Sequence, residues 1–160
     1  MARGNRIVVN ANPKGARIEG ILTEALKPGT IVQIDPSVAL AHGRHTYVAY
    51  NRDADGDQPK GGFWVIEEDL KLGALATTAY AIGDQVPLYA PQPGDELNLL
   101  FGNASGTADD IALGTIMMVD DGTGKVVATT GSPETEVAVA LEAIVDPTAD
   151  QLLWCQWSGH

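Results

Sequence analysis

Cysteine is almost missing: one residue in 160, Cys155. A lone thiol excludes an internal disulfide framework and removes any argument for secretion. Set among Leu153, Trp154 and Trp157, it is expected to be a buried core thiol rather than a reactive one. Long apolar runs are missing too. No window approaches the ~18 apolar residues of a membrane helix. The run Ile7-Val8-Val9 is too short for a signal-peptide core. The expectation is a soluble chain made in the cytoplasm, with no membrane partner. Apolar content of 44% with 19% charged residues is globular composition, and the length suits one domain with or without an arm.

Positive charge is scarce, with ten Lys and Arg against 21 Asp and Glu. Its distribution matters more than its sum. Residues 1–30 carry five basic and two acidic residues, a net of +3, and residues 31–160 carry five and nineteen, a net of −14. No Lys or Arg lies between Lys71 and Lys125. Such a body repels phosphate backbones, so nucleic acid is not an expected partner. The basic segment is too sparse for a nucleic-acid arm and better suited to an acidic protein surface. Arg3, Arg6, Asn10, Asn12, Lys14 and Arg17 are the docking candidates, because Arg and Asn suit contacts to carboxylates and backbone.

Turn signals recur at short intervals. Between them stand strand-like runs: 7–10, 17–22, 30–34, 44–50, 63–66, 85–90, 96–101, 113–119, 125–130, 137–145 and 151–157. In the stretch from Gly83 to Gly102, Val86, Leu88 and Ala90 share one face, and Leu97, Leu99 and Phe101 share another. These two are expected to form a central strand pair. Asp120-Asp121-Gly122-Thr123-Gly124 reads as a hairpin turn. Along 137–145, Val137, Val139, Leu141, Ala143 and Val145 alternate on one face, leaving Ala138 and Ala140 for close packing on a neighbour. One short helix is predicted over 67–76, where Glu68 and Asp69 suit its start and Gly73 limits it to about two turns. The sum is an all-β fold, a small β-barrel-like or β-sandwich body with one short helix and an extended N-terminal arm. The arm is placed at 1–20 and the body at 21–160.

Reactive constellations are thin. Asp53, Asp55 and Asp57 alternate in a loop and could converge on Ca²⁺. An EF-hand needs glycine after the third acid and glutamate at the twelfth position. Here Gly56 precedes the third acid and the twelfth position is Trp64, so a solvated loop is the better reading. His42 and His45 lack further ligands at zinc spacing. No serine lies in a nucleophile elbow, and the pairs Asp109-Asp110 and Asp120-Asp121 sit beside turn residues. No cofactor is implied, and the chain is not expected to be an enzyme. Trp154 and Trp157 fall on opposite faces of one strand, which weakens a sugar-stacking platform.

Taken in order, several runs resemble the capsid cement, or head-decoration, proteins of tailed bacteriophages. They are Asn10-Ala-Asn-Pro-Lys-Gly15, Lys27-Pro-Gly-Thr-Ile-Val-Gln-Ile34, Gly43-Arg-His-Thr46, Gly83-Asp84 through Leu88-Tyr89, and Pro93-Gly-Asp-Glu-Leu-Asn98. Asp121-Gly-Thr-Gly-Lys125, Ala128-Thr-Thr-Gly-Ser132, Ala140-Leu-Glu142 and Leu152-Leu-Trp154 complete the pattern. The resemblance implies a structural virion protein on the capsid exterior, with the major capsid protein and itself, as a homotrimer, for partners. It implies no catalytic residues. The rival expectation is a carbohydrate-binding or adhesin module on a virion surface, which would need an exposed cluster among Trp64, Trp154 and Trp157.

Overall fold

The computed structural model describes residues 6–11, 15–51, 61–69, 77–102, 110–129, 136–145, 147 and 150–158. Eleven strands stand between the turns: β1 Val8–Asn10, β2 Ala16–Leu22, β3 Ile31–Ile34, β4 Thr46–Ala49, β5 Trp64–Ile66, β6 Gln85–Ala90, β7 Glu96–Phe101, β8 Ile116–Val119, β9 Val126–Ala128, β10 Glu136–Ala140 and β11 Gln151–Trp157. The all-β expectation holds. No helix occurs among the described residues. Of the predicted helix, 67–69 are non-helical and 70–76 lie outside the described residues. The physical reason is that Glu67 is already committed to the sheet. Its N–H donates to Pro87 O at 2.9 Å, and its carbonyl accepts from the Tyr80 hydroxyl at 3.0 Å.

The strands form two rings. The first closes as β2-β4-β3-β5-β6, with β2 and β4 paired in parallel and its ends β2 and β6 joined by antiparallel pairing. The second runs β7-β11-β10-β8-β9, and a short parallel pairing of Phe101 with Val126 joins β9 back to β7. Strand β1 adds to the outside of β7. Consecutive strands β6 and β7 therefore do not pair with each other, contrary to the expectation of a central pair. They belong to different rings, and Pro91 and Pro93 lie in the crossing between them.

Period-2 alternation explains how the rings fuse. In β3, Val32 points into the first ring and Ile31 points out of it. In β5, Ile66 points in and Val65 out, and in β6 Leu88 points in and Tyr89 out. All six are fully buried. The outward set packs with Leu97, Leu99, Phe101, Met117, Leu153, Cys155 and Trp157 of the second ring in one continuous core. Each such aliphatic side chain contributes roughly 1.5–3 kcal/mol by leaving water.

Backbone hydrogen bonds stitch the seam. Leu100 N–H donates to Gly29 O at 2.9 Å, Ile31 N–H to Gly124 O at 2.8 Å, and Gly122 N–H to Tyr50 O at 2.8 Å. The turn at 120–124 thus makes the expected β8–β9 hairpin and docks its tip on the first ring. Gly124 has φ +63°, and a Cβ there would stand 2.1 Å from Ile31 O. Only glycine fits both constraints.

Strand β10 differs from its sequence pattern. It ends at Ala140 rather than 145, and its register against β8 shifts between Glu136 and Ala138. That bulge turns Val137 inward together with Ala138 and Ala140. Val139 is left half-exposed on the outer face.

Candidate interaction surfaces

The first twenty residues are tied to both rings wherever they are described. Val8 pairs with Leu97 and Asn10 with Glu96, while Ala16 to Ile21 pair along β6. Ile7 is fully buried, and its N–H donates to Glu68 Oε2 at 2.9 Å. Of the docking candidates, Arg3, Asn12 and Lys14 lie outside the described residues. Arg6 and Asn10 are exposed on β1 and its approach, and Val9 beside them is 43% exposed.

Arg17 is half-exposed but engaged. Its Nε donates to Glu67 Oε2 at 3.1 Å, and its guanidinium carbon lies 4.9 Å from the centre of the Tyr89 ring. Burial pushes the Glu67 carboxyl above its usual range, and the adjacent Arg17 charge pulls it back in part. Beneath Arg17, the Tyr89 hydroxyl donates to Asp95 Oδ2 at 2.5 Å, which also accepts from Gln92 N–H at 2.7 Å. Burial, then the bond to Asp95, raises the Tyr89 phenol. Asp95 itself is 1% exposed. Gly15 makes room for this pair, since a Cβ there would meet the Tyr89 hydroxyl at 2.1 Å. Arg17 thus caps a polar knot at the seam. Nothing in the sequence flagged that knot. Asp95 reads as an ordinary turn residue after Pro93-Gly94, and Glu67 as a helix start.

The first ring carries two further polar clamps. Asp35 accepts from Ser37 N–H at 2.9 Å, from the Ser37 hydroxyl and from the Thr23 hydroxyl, and these bonds, the Ser37 hydroxyl foremost, hold its carboxyl below the usual range. Arg44 pairs with Glu19, whose Oε2 also accepts from Gln85 Nε2 at 2.7 Å. His42, at φ +51°, and His45 are exposed around this hairpin end. Cys155 is fully buried as expected, and its thiol is pushed up, first by burial and then by Glu142. It is therefore not placed to join the histidines in a zinc site.

Asp53, Asp55 and Asp57 lie outside the described residues. Among the described residues, no three His, Cys, Asp or Glu side chains cluster as metal ligands. The tryptophans serve different surroundings. Trp64 packs on the first-ring core with its ring 6.2 Å edge-on to Tyr47, Trp157 is 3% exposed against Phe63, and Trp154 is half-buried on β11. They do not form the single exposed platform that the glycan-binding expectation requires.

No protein-family model matches the chain, and no curated protein matches it by sequence. A search of solved structures does find similarity, to the N base of the head fiber gp8.5 of bacteriophage phi29. The likeness has a TM-score of 0.54 at 12% identity and covers 90% of this chain and 94% of that one. What the two chains share at that identity is the fold, almost end to end.

Proposed function

We propose that this chain is a structural protein of a phage head, bound to the outer surface of the shell. On this reading it cements the shell, assembles as a homotrimer, and carries no catalysis of its own. The observation that carries the reading is the near-complete fold likeness to the head fiber base of phi29. The capsid-cement resemblance of its turn and strand runs supports it. The charge layout supports the mode of attachment: a basic first segment reaches an acidic protein surface, and an acidic body is kept off nucleic acid. Arg3, Arg6, Asn10, Asn12, Lys14 and Arg17 are the residues assigned to that contact. Repetition over a lattice then multiplies weak individual contacts.

The test is to mix the purified protein with mature and immature shells and image where density is added. Added density on the outer surface is the expected result. No density on either form would overturn the reading. Deleting residues 1–17 is a poor test of attachment, because it removes the buried Ile7 and the β1–β7 pairing. Arg6→Glu is better. Its side chain is exposed, so it should lower shell occupancy several-fold at low salt while leaving the fold intact.

A further inference from the structure

The outer face of the second ring carries an aliphatic patch that the fold does not use. Ile116 and Val139 are directly opposed on β8 and β10 and face outward together. The ladder continues past both strands: Gly114 N–H donates to Ala140 O at 2.9 Å, and Ile111 and Ile144 exchange bonds of 2.8 and 2.9 Å. This brings Leu113, Ile116, Val139, Leu141 and Val145 onto two adjacent segments. Leu113 occupies the second position of a turn closed by Thr115 N–H to Ala112 O at 3.1 Å, with Gly114 at φ +85° in the third. That turn lifts its side chain outward. Leu113 and Val145 are each 70% exposed and Ile116 is 41% exposed. Single exposed aliphatics are ordinary, but several on one hydrogen-bonded platform are not.

Charge narrows what can cover the patch. Asp110, Glu136 and Glu142 border it, and Glu142 is fixed by accepting Trp154 N–H at 2.8 Å. From residue 96 to the end the chain has ten acidic residues and one basic, a net of −9. That one, Lys125, pairs with Asp150 at 2.8 Å. Nucleic acid and anionic membranes are disfavoured by this charge. Two copies meeting patch to patch would oppose like charges, which is also unfavourable. A basic surface with an aliphatic centre fits. The chain offers a first segment of net +3 at its other end, where exposed Val9 on β1 follows the exposed cation of Arg6.

We infer that the β8–β10 patch of one copy receives the basic β1 segment of a second copy, in a head-to-tail contact. Such a contact uses two different surfaces, so copies add in one direction until the rotation closes a ring. The inference rests on the self-assembly part of the reading above. It makes the acidic surface met by the basic segment, at least in part, another copy of this chain.

The test is sedimentation of the purified full chain without shells, over a concentration series at low and high salt. Wild type should associate, and more weakly as salt rises. Leu113→Asp and Arg6→Glu, both at exposed positions, should each weaken self-association at least tenfold while unfolding as wild type does. Mixed together they should form a one-to-one dimer, because each keeps the surface the other has lost. Wild type that stays monomeric at high concentration in low salt would overturn the inference. So would undiminished association of Leu113→Asp, or a mixture that fails to pair. Because no shell is present, self-association without shell binding would sink only the head-binding reading. Shell binding without self-association would sink this inference and the trimer with it, and leave the head-binding reading standing.

Discussion

The two rings have the same number of strands and one parallel pairing each, β2 with β4 and β9 with β7, yet their interiors differ in kind. The first ring has a core of its own, built on Leu22, Val32, Tyr47, Ile66, Tyr80, Val86 and Leu88. The core of the second ring is shared. Ile31, Tyr50, Val65 and Tyr89, which point out of the first ring, complete it alongside Leu97, Leu99 and Trp157. All four tyrosines of the chain lie in the first-ring half, each 5% exposed or less. The lesson is asymmetric dependence: the first ring acts as scaffold, and the second is finished by docking on it. The outer surface divides the same way, with the cations gathered toward the first ring and β1, and an acidic, aliphatic face on the second.

The largest test of that asymmetry is paired truncation. Leu99→Ala removes a fully buried side chain from the shared core and Leu88→Ala removes one from the private core. Each should cost about 2–5 kcal/mol. Because the seam couples the rings, both should shift one common calorimetric transition. Two separate transitions in Leu88→Ala would break the picture of one cooperative unit.

A cut at the seam itself is next in size. Gly124→Ala forces a side chain into positive φ and onto the Ile31 carbonyl. It should cost about 2–3 kcal/mol in urea unfolding. The same substitution at Gly122, where φ is +78° but a Cβ would meet nothing within 4 Å, should cost less. Equal losses would mean that backbone conformation, not docking of the hairpin tip, sets the energy. Tyr89→Phe is a finer cut. It keeps the ring under Arg17 and removes the hydroxyl from buried Asp95, which still accepts Gln92 N–H. A loss of about 1–3 kcal/mol is expected, and an unchanged denaturation midpoint would remove Tyr89–Asp95 from the list of seam fasteners.

The strands were legible because turn chemistry and β-branched runs are local. The burial of Cys155 and the hairpin at Asp120–Gly124 were legible for the same reason. What sequence could not supply is the partner of each strand. Nearness in the chain suggested that β6 and β7 pair, but Pro91 and Pro93 lie where the chain crosses from one ring to the other. Double-sided burial of Ile31-Val32 and Leu88-Tyr89 blurs the alternation that would mark a solvent face. The bulge before Ala138 took Val137 off the face it was expected to share with Val139, and a bulge adds one residue without a sequence mark of its own. The seam knot was invisible because Arg17, Glu67, Tyr89 and Asp95 come from four separate segments. The β8–β10 patch was hidden because Leu113 and Val145 are ordinary strand residues until a turn and a bend leave them outside.

The smallest expected effect concerns the sign of an electrostatic term at that seam. Burial raises the Glu67 carboxyl, and Arg17 only partly offsets it. A carboxyl with a folded pKa above its unfolded value binds its proton more tightly in the native state. Its contribution to stability is therefore complete below the unfolded pKa and is lost as pH rises through the folded value. At neutral pH the ionised Glu67 is a net cost, and the Arg17 pair, half-exposed, returns about 1 kcal/mol or less. Glu67→Gln should then melt at or slightly above the wild-type temperature at pH 7. The difference should shrink toward pH 4, where wild type takes up its proton. Thermal melts of both proteins across that range decide the point. If the wild type instead gains on the variant as pH rises, Arg17 outweighs burial, and the seam is held by an ion pair rather than by the apolar core beneath it.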